Sequence, residues 1–335
     1  MGERGYKHER RQGTERRLSN ERHDRIREGA VLITGISGRL GRRVARRLHR
    51  YRQIVGLDPK PIRGLPPDVE HVALDPRRSQ ARQVFRRGDI GAILHLGVLH
   101  NPGKGAEHHT QNLVALQKIL EYADQFGIPK VVLLSSANAY GPRPDNPQFL
   151  TEEAPLLAGG AFSEMRDIVE LDMFAQSFFW RSPEIEFVIL RPANILGTVR
   201  NAPSNYLRLD VVPTVMGFDP MIQALHQDDV VSAIECALAP GKRGVFNVAG
   251  PPPVPLSRAV ALLGRRTMPV PYSLAKGVLR QAFRLGVTSF PAPELDFIRY
   301  VCMVDDTRAR RELGYRPAYD LEATLRSVDE ERWVA

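Results

Sequence analysis

With 335 residues, 43% of them hydrophobic, and a mean hydropathy of -0.27, the chain has apolar material for one large α/β domain or two smaller lobes, which excludes a disordered or fibrous protein. The 47 Lys and Arg outnumber the 38 Asp and Glu, giving a net charge of +9, and the two cysteines, Cys236 and Cys302, lack CxxC spacing, so neither a disulfide framework nor a four-thiolate zinc site is expected and no metal is assigned. No apolar run approaches the roughly 18 residues a membrane span needs, and the first 28 residues contain no apolar signal core, so a soluble cytoplasmic protein is the expectation.

Residues 1–28 alternate Arg, Glu, Gly and His and read as a disordered charged arm. From Val31 onward short β-rich runs alternate with helical periods. The runs are Val31–Thr34, Gln53–Leu57, His71–Leu74, Ala92–Leu96, Val131–Ser135 and Phe187–Leu190. Amphipathic stretches lie between them at Leu40–Tyr51, Ser79–Arg87, Thr110–Phe126 and Phe162–Phe179. Such alternation predicts an α/β fold, a doubly wound parallel sheet of Rossmann type with helices on both faces. Residues 29–197 form the expected dinucleotide-binding domain. Residues 198–335, looser in rhythm and rich in proline, are expected to form a smaller mixed substrate lobe. Within that lobe Asp228 and Asp229 read as helix N-caps, with ligand contact as the alternative. Tyr272–Phe290 sets apolar residues among Lys276, Arg280 and Arg284 and reads as a helix packed on its own lobe, with a membrane or partner surface as the alternative.

The segment from Val31 to Gly41 is a strand, a turn punctuated by Gly35, Gly38 and Gly41, and the start of a helix. Glycines there permit a tight turn and close backbone approach to a diphosphate, and a helix N-terminus offers N–H groups and positive dipole. Asp58 ends the next strand, where a carboxylate accepts both ribose hydroxyls of an adenosine and repels a 2′-phosphate, favouring NAD over NADP. No GxxxxGK[ST] loop is present, which excludes a P-loop ATPase or GTPase.

Taken in order, these motifs resemble the extended short-chain dehydrogenase/reductase family, in particular the NAD-dependent epimerase/dehydratase group that includes UDP-glucose 4-epimerase. The family's TGxxGxxG turn is matched from Thr34 to Gly41, its acid after the third strand by Asp75, its H-L-A-like strand end by His95, Leu96 and Gly97, and its helix asparagine by Asn112. Its SSxxxYG is matched by Ser135 to Gly141, its RxxNxxG by Arg191, Asn194 and Gly197, and its HxDDV by His226 to Val230. The resemblance implies that Gly35, Ser37, Gly38, Arg39, Leu40 and Gly41 line the diphosphate and that Asp58 holds the adenine ribose. It further implies Asp75 and Pro76 near the adenine, Leu96, Gly97 and Asn112 beside the middle of the dinucleotide, Ser136 facing the reacting carbon, and Asn194 toward the substrate.

The family's proton relay is a Tyr and a Lys in YxxxK, on one helical face. At the corresponding place this chain has Phe162 and Arg166. Phe162 has no ionisable oxygen, while Arg166 retains positive charge in a planar fork that is not equivalent to an ammonium. Arg166 reads either as a ribose contact or as an ion pair with Glu170. Tyr140 occupies a family position that is not the proton donor, and His95, His100, His108 and His109 read as solvated or hydrogen-bonded side chains able to titrate near neutrality. Two functions therefore stay open: an NAD-binding enzyme acting by hydride transfer on a nucleotide sugar or other hydroxy/keto substrate with an altered relay, or a catalytically inactive NAD-binding regulatory protein. The resemblance also raises a homodimer through the two long helices. No nucleic-acid partner is expected, because Arg42, Arg43, Arg46, Arg47 and Arg50 read as a solvated helix face.

Overall fold

The computed structural model describes residues 17–98, 105–161, 165–197, 206–285 and 292–330, excepting the side chains of 105–110, 161, 282–284 and 292–294. Six strands come first: β1 (Ala30–Thr34), β2 (Ile54–Leu57), β3 (Glu70–Val72), β4 (Ile90–His95), β5 (Lys130–Leu134) and β6 (Glu186–Pro192). The chain then adds β7 (Asn194–Leu196), β8 (Val211–Val215), β9 (Met221–Ile222), β10 (Ala224–His226), β11 (Gly244–Val248), β12 (Val254–Pro255) and β13 (Arg266–Val270). The central sheet has seven strands in the order β11-β6-β5-β4-β1-β2-β3, all parallel.

Period-two alternation explains why the apolar runs are continuous. Val31, Ile33, Leu94, Val132, Val188 and Leu190 point into one core, with the helices Arg39–Leu48 and Gln227–Leu238. Leu32, Ile93, Val131, Leu133, Phe187 and Ile189 point into the other, with the helices Gly105–Gln125 and Arg166–Arg181. A strand covered on both faces has no solvent side to require polar residues. The pairs β7–β10, β9–β12 and β8–β13 belong to smaller sheets, and a third core gathers Val212, Val215, Leu256 and Val260 with Leu295 and Ile298.

Two sequence expectations change. Residues 17–28, expected within a disordered arm, are helical, and Ile26 is fully buried. Arg25 donates to the Gly127 carbonyl at 2.8 Å, His23 meets Glu186 at 3.1 Å, and Arg52 donates to the Ile26 carbonyl at 2.7 Å. The charges that look solvating in composition are tertiary partners here; residues 1–16 of that arm lie outside the described residues. Strand β11 and helix Gln227–Leu238, both expected in the lobe beyond residue 197, instead complete the central sheet and its cover. Their chain position is late, but their apolar faces fit the sheet. Of the helical stretch expected over Phe162–Phe179, the part from Arg166 onward is seen within helix Arg166–Arg181, and Phe162, Ser163 and Glu164 lie outside the described residues.

Candidate functional site

Strands β1 and β4 are neighbours, and successive helices leave them toward opposite faces, so their C-terminal ends open a crevice at the point where strand order reverses. Gly35 turns the chain out of β1 with φ +75°, and a Cβ on it would lie 2.6 Å from the Gly97 backbone. A Cβ on Gly41 would lie 2.4 Å from the Gly35 carbonyl oxygen. Gly38 is the exposed N-cap of helix Arg39–Leu48, and no side chain caps that terminus. The helix ladder starts with Arg42 N–H donating to Gly38 at 3.0 Å, leaving the preceding amides outside it. Leu96 is tied to β1 by its N–H to the Thr34 carbonyl at 3.0 Å. Ser37, Arg39 and Leu40 are half-buried around the turn.

Asp58 sits at the end of β2, 6% exposed. One carboxylate oxygen accepts the Ser37 hydroxyl at 2.7 Å and the Ser37 N–H at 3.2 Å, and the other accepts the Lys60 N–H at 2.9 Å. The carboxylate is thereby aimed, and four lone-pair sites leave capacity for a further donor. Asp75 is held by Arg77, whose guanidinium reaches it at 2.6 Å and whose N–H donates at 2.9 Å. Burial pushes the Asp75 carboxyl up, but the Arg77 bonds more than offset it and leave its pKa below the ordinary value. Pro76 lies within this turn, and Asn112 is buried on helix Gly105–Gln125. The residues present fit an adenine dinucleotide: glycines where side chains would fill the cradle, unladdered amides, and an oriented acid.

At the end of β5, Ser136 is half-buried and its hydroxyl oxygen accepts the Asn138 N–H at 3.2 Å, capping the turn Ala137–Tyr140. Ser135 donates to Asp172 at 2.6 Å. Asp172 and Arg191, 0% and 1% exposed as side chains, form a bidentate pair at 2.7 and 2.9 Å. Arg191 also donates to the Tyr140 hydroxyl at 2.7 Å, and that hydroxyl donates to Asn247 at 2.9 Å. Burial is the chief cause that pushes the Tyr140 hydroxyl up to about 12, so at neutral pH it stays a fixed donor between two partners. This network was missed in the sequence reading. Its signal was Asp172 on the apolar face shared by Val169 and Ala175, and Arg191 at the end of an apolar run: charges in such places need each other.

Asn194 of β7 accepts from the Asn138 amide and donates to the Gln223 carbonyl, both at 3.3 Å, which joins the turn after β5 to β9 and β10. Gln223 in turn lines a cavity of about 490 Å³ with Gly250, Pro252, Asp306 and Arg310. Arg166 is exposed at the start of its helix. Phe162, Glu164 and His100 lie outside the described residues, as do the side chains of His108 and His109. The structure thus brings the glycine turn, Asp58, Leu96 and Gly97 together, and leaves the Phe162 position undetermined.

Beyond β10 the N-cap is His226, whose ring accepts the Asp228 N–H at 3.2 Å, and not Asp228 or Asp229 as the residue types suggested. Asp228 instead pairs with Arg43, one bond at 2.6 Å, and accepts the Tyr319 hydroxyl at 3.1 Å. Asp229 accepts the Ala318 N–H at 2.8 Å. The arginine-rich face of helix Arg39–Leu48 is consequently not simply solvated: Arg43 and Arg47 bond Asp228 and Glu235 of the neighbouring helix.

His95, expected to titrate near neutrality, is fully buried and bonded to the Thr34 hydroxyl at 2.6 Å. Burial lowers its pKa from 6.5 to about 4, so the ring is neutral at pH 7. Between those values the unfolded chain binds the extra proton, so stability is complete above pH 6.5 and falls as the pH drops toward 4, by about 3 kcal/mol from this group. His95→Gln is expected to flatten that part of the profile, measured by urea unfolding across the same range. An unchanged slope would refute the assignment.

The profile of the NAD dependent epimerase/dehydratase family matches residues 31–249. An uncharacterized protein of Mycobacterium tuberculosis is 29% identical over 258 residues, covering 75% of this chain and 68% of its own length. Among solved structures, UDP-glucose 4-epimerase of Thermotoga maritima with UDP-glucose has a TM-score of 0.70 at 18% identity, over 90% of this chain and 98% of that one. The dTDP-glucose 4,6-dehydratase of Bacillus anthracis in complex with NAD has a TM-score of 0.69 at 17% identity, over 91% and 96% of the two chains. These two likenesses establish a shared fold. The profile runs unbroken from β1, through the cradle and the buried network, to the end of β11, and on that extent the chain belongs to the NAD-dependent epimerase/dehydratase family.

Proposed function

We propose that the chain holds NAD across the ends of β1, β2 and β4 and acts by hydride transfer on a nucleotide sugar, with Phe162 and Arg166 in place of the usual relay. The supporting observation is the cradle: two glycines packed so closely that no side chain fits, beside an acid already aimed by Ser37 and Lys60. In this reading Gly35 to Gly41 line the diphosphate, Asp58 takes the adenine ribose, and Asp75 and Pro76 flank the adenine. Leu96, Gly97 and Asn112 border the middle of the dinucleotide. NAD, when bound, supplies the hydride acceptor. Ser136 orients the reacting oxygen, Arg166 donates to ribose hydroxyls, and Asn194 faces the substrate side. Residues 198–335 contribute the substrate lobe, with β11 and helix Gln227–Leu238 returned to the sheet. Two protomers pair through helices Gly105–Gln125 and Arg166–Arg181, the latter of which leaves Met173 and Trp180 exposed a heptad apart.

Asp58→Asn is expected to weaken NAD binding roughly tenfold to a hundredfold, the worth of charge-assisted hydrogen bonds. It should also narrow the preference for NAD over NADP, because the repulsion of a 2′-phosphate goes with the charge. Calorimetric titration with both dinucleotides measures this; equal NAD affinity in wild type and variant removes Asp58 from the site. Incubation with UDP- and dTDP-hexoses, read by epimer analysis and NADH absorbance, tests the reaction itself.

A second reading is favoured by one observation. The ionisable groups the structure describes at the ends of β4 and β5 are committed: His95 is buried and neutral, and Tyr140 is locked between Arg191 and Asn247. A protein that binds NAD without turnover follows from this, its output a change of conformation or partner. NAD binding with no product from any hexose, together with turnover gained in Phe162→Tyr/Arg166→Lys, selects this reading over the first.

A further inference from the structure

Helix Gln227–Leu238 is capped by a histidine, a residue type that loses its acceptor on protonation. Because His226 Nδ1 accepts the Asp228 N–H at 3.2 Å, the ring proton sits on Nε2, which lies 3.8 Å from the Glu330 carboxylate. The Tyr319 ring is stacked on the imidazole, with centroids 3.6 Å apart and planes 15° from parallel, and the His226 side chain is 4% exposed. Charged groups face it from three elements. Its own helix brings Asp228, with a carboxylate oxygen 3.7 Å from Nδ1, and Asp229; the C-terminal segment brings Glu330; helix Arg39–Leu48 brings Arg43. Helix Leu321–Arg326 keeps its charges to itself: Asp320 accepts the Ala323 N–H at 2.8 Å, and Glu322 pairs with Arg326 at 2.6 Å. Asp228 belongs at the same time to a second contact. Its two oxygens take Arg43 Nε and Nη2, the latter at 2.6 Å, and one also accepts the Tyr319 hydroxyl at 3.1 Å. Arg43 lies just inside the helix whose N-terminus frames the glycine cradle, and the far end of that helix is held separately by Arg47 on Glu235 at 3.1 Å.

We infer that His226 is a proton-sensitive latch on the cradle: on protonation it gives up the helix cap, draws the Asp228 carboxylate away from Arg43, and frees the N-terminal end of helix Arg39–Leu48. The chemistry of the ring dictates the exchange. A neutral imidazole leaves Asp228 wholly to Arg43. A protonated one carries a hydrogen on Nδ1 as well, so that two donors, Nδ1–H and the Asp228 N–H, oppose each other across 3.2 Å, and the nearest acceptor for Nδ1–H is the Asp228 carboxylate at 3.7 Å. With Arg47 still bonded to Glu235, the loosened helix moves at its cradle end. Burial is the chief cause that holds the His226 pKa below its ordinary value, and Arg43 adds to it, while Asp228, Glu330 and Asp229 oppose it. A histidine lowered in this way is neutral at pH 7, and the stability it contributes is lost as the pH falls through the ordinary histidine range and below. The consequence for NAD rests on the binding mode proposed for the cradle; the latch itself does not.

The test is hydrogen exchange of the ligand-free full chain, together with calorimetric NAD affinity, at about pH 7.5 and about pH 5.5. His95, whose pKa is about 4, stays neutral over that range. After correction for intrinsic exchange, the amides of Asp228, Asp229, Arg42 and Arg43 should lose protection at the lower pH. NAD should bind there on the order of fivefold more weakly, the worth of one helix cap. Coupling between two ligands is reciprocal, so NAD should depress the midpoint of the His226 titration by the same factor, read from its ring resonances. His226→Asn keeps a cap that cannot titrate, and should remove the pH dependence of both measurements. Asp228→Asn weakens the hold on Arg43 at every pH, and should show the weaker NAD affinity at both. Protection or NAD affinity indifferent to pH in the wild type, or an equal pH dependence in His226→Asn, would overturn the latch. NAD bound at neither pH, with protection still lost on acidification in the wild type and not in His226→Asn, would strike the dinucleotide reading and support the latch.

Discussion

Gly41→Ala is expected to abolish measurable NAD binding and to destabilise the fold. The added Cβ would meet the Gly35 carbonyl oxygen at 2.4 Å and the Ile36 Cα at 2.7 Å, both backbone atoms that no rotamer change can move. Relief requires helix Arg39–Leu48 to shift, yet Val44, Ala45 and Leu48 are buried in the first core and Arg43 is clamped by Asp228. Overpacking of this kind costs about 1–3 kcal/mol, and in the proposed binding mode a shift of the helix would withdraw every backbone donor at its N-terminus from the diphosphate at once. Affinity should fall by about a hundredfold or more, since several charge-assisted bonds go together. Gly35→Ala should match it, because φ +75° adds backbone strain to a 2.6 Å collision with Gly97. Gly38→Ala separates the two effects. Its φ is -64° and its nearest neighbour would be 3.1 Å away, so the fold should tolerate it while the ligand loses room. Thermal unfolding with and without NAD distinguishes the three variants; a Gly41→Ala protein that melts and binds like wild type would contradict the close packing.

The second large effect lies behind the site. Asp172→Ala is expected to destabilise the protein by about 3–5 kcal/mol, as removal of one partner from a buried ion pair generally does. The loss strands Arg191, 1% exposed, and deprives Ser135 and Gln176 of their acceptor. For a chain of this size the melting temperature should drop on the order of 10 °C. Arg191→Met should do comparable damage by leaving the Asp172 carboxylate without its cation. The double variant Asp172→Leu/Arg191→Met is expected to lose less than the sum, because neither charge then remains buried and unpaired. Additive losses in the cycle would show that the two side chains act separately. Arg191 also fixes Tyr140 and the turn carrying Ser136, so these variants should raise hydrogen exchange at Ala137–Tyr140.

Much of the architecture was legible because its signals are local. A strand buried on both faces writes an unbroken apolar run, and Val31–Thr34, Ala92–Leu96 and Phe187–Leu190 each lie within observed strands or overrun them by a residue. The cradle was legible for a similar reason: the collisions that demand Gly35 and Gly41 occur within a few residues or across one strand pair, so glycine spacing records them. Asp58 at the end of β2 follows from strand length alone. The helix at residues 17–28 was not legible, since its single buried apolar side chain, Ile26, meets a surface assembled from distant segments.

The residues that the sequence by itself determined are those whose constraint is steric and nearby: glycines without room for a Cβ, apolar runs without access to water, and an acid ending a strand. Only the tertiary structure decided the partners of charges. Arg43 with Asp228 and Arg191 with Asp172 join residues 185 and 19 positions apart, and His226 displaced two aspartates as a helix cap. A charged side chain gains from any opposite charge the fold brings close, and composition does not say which. For the same reason β11 enters the sheet from late in the chain: hydrogen bonding along an open strand edge is indifferent to sequence separation, and the edge of β6 is where Gly244–Val248 finds its partners.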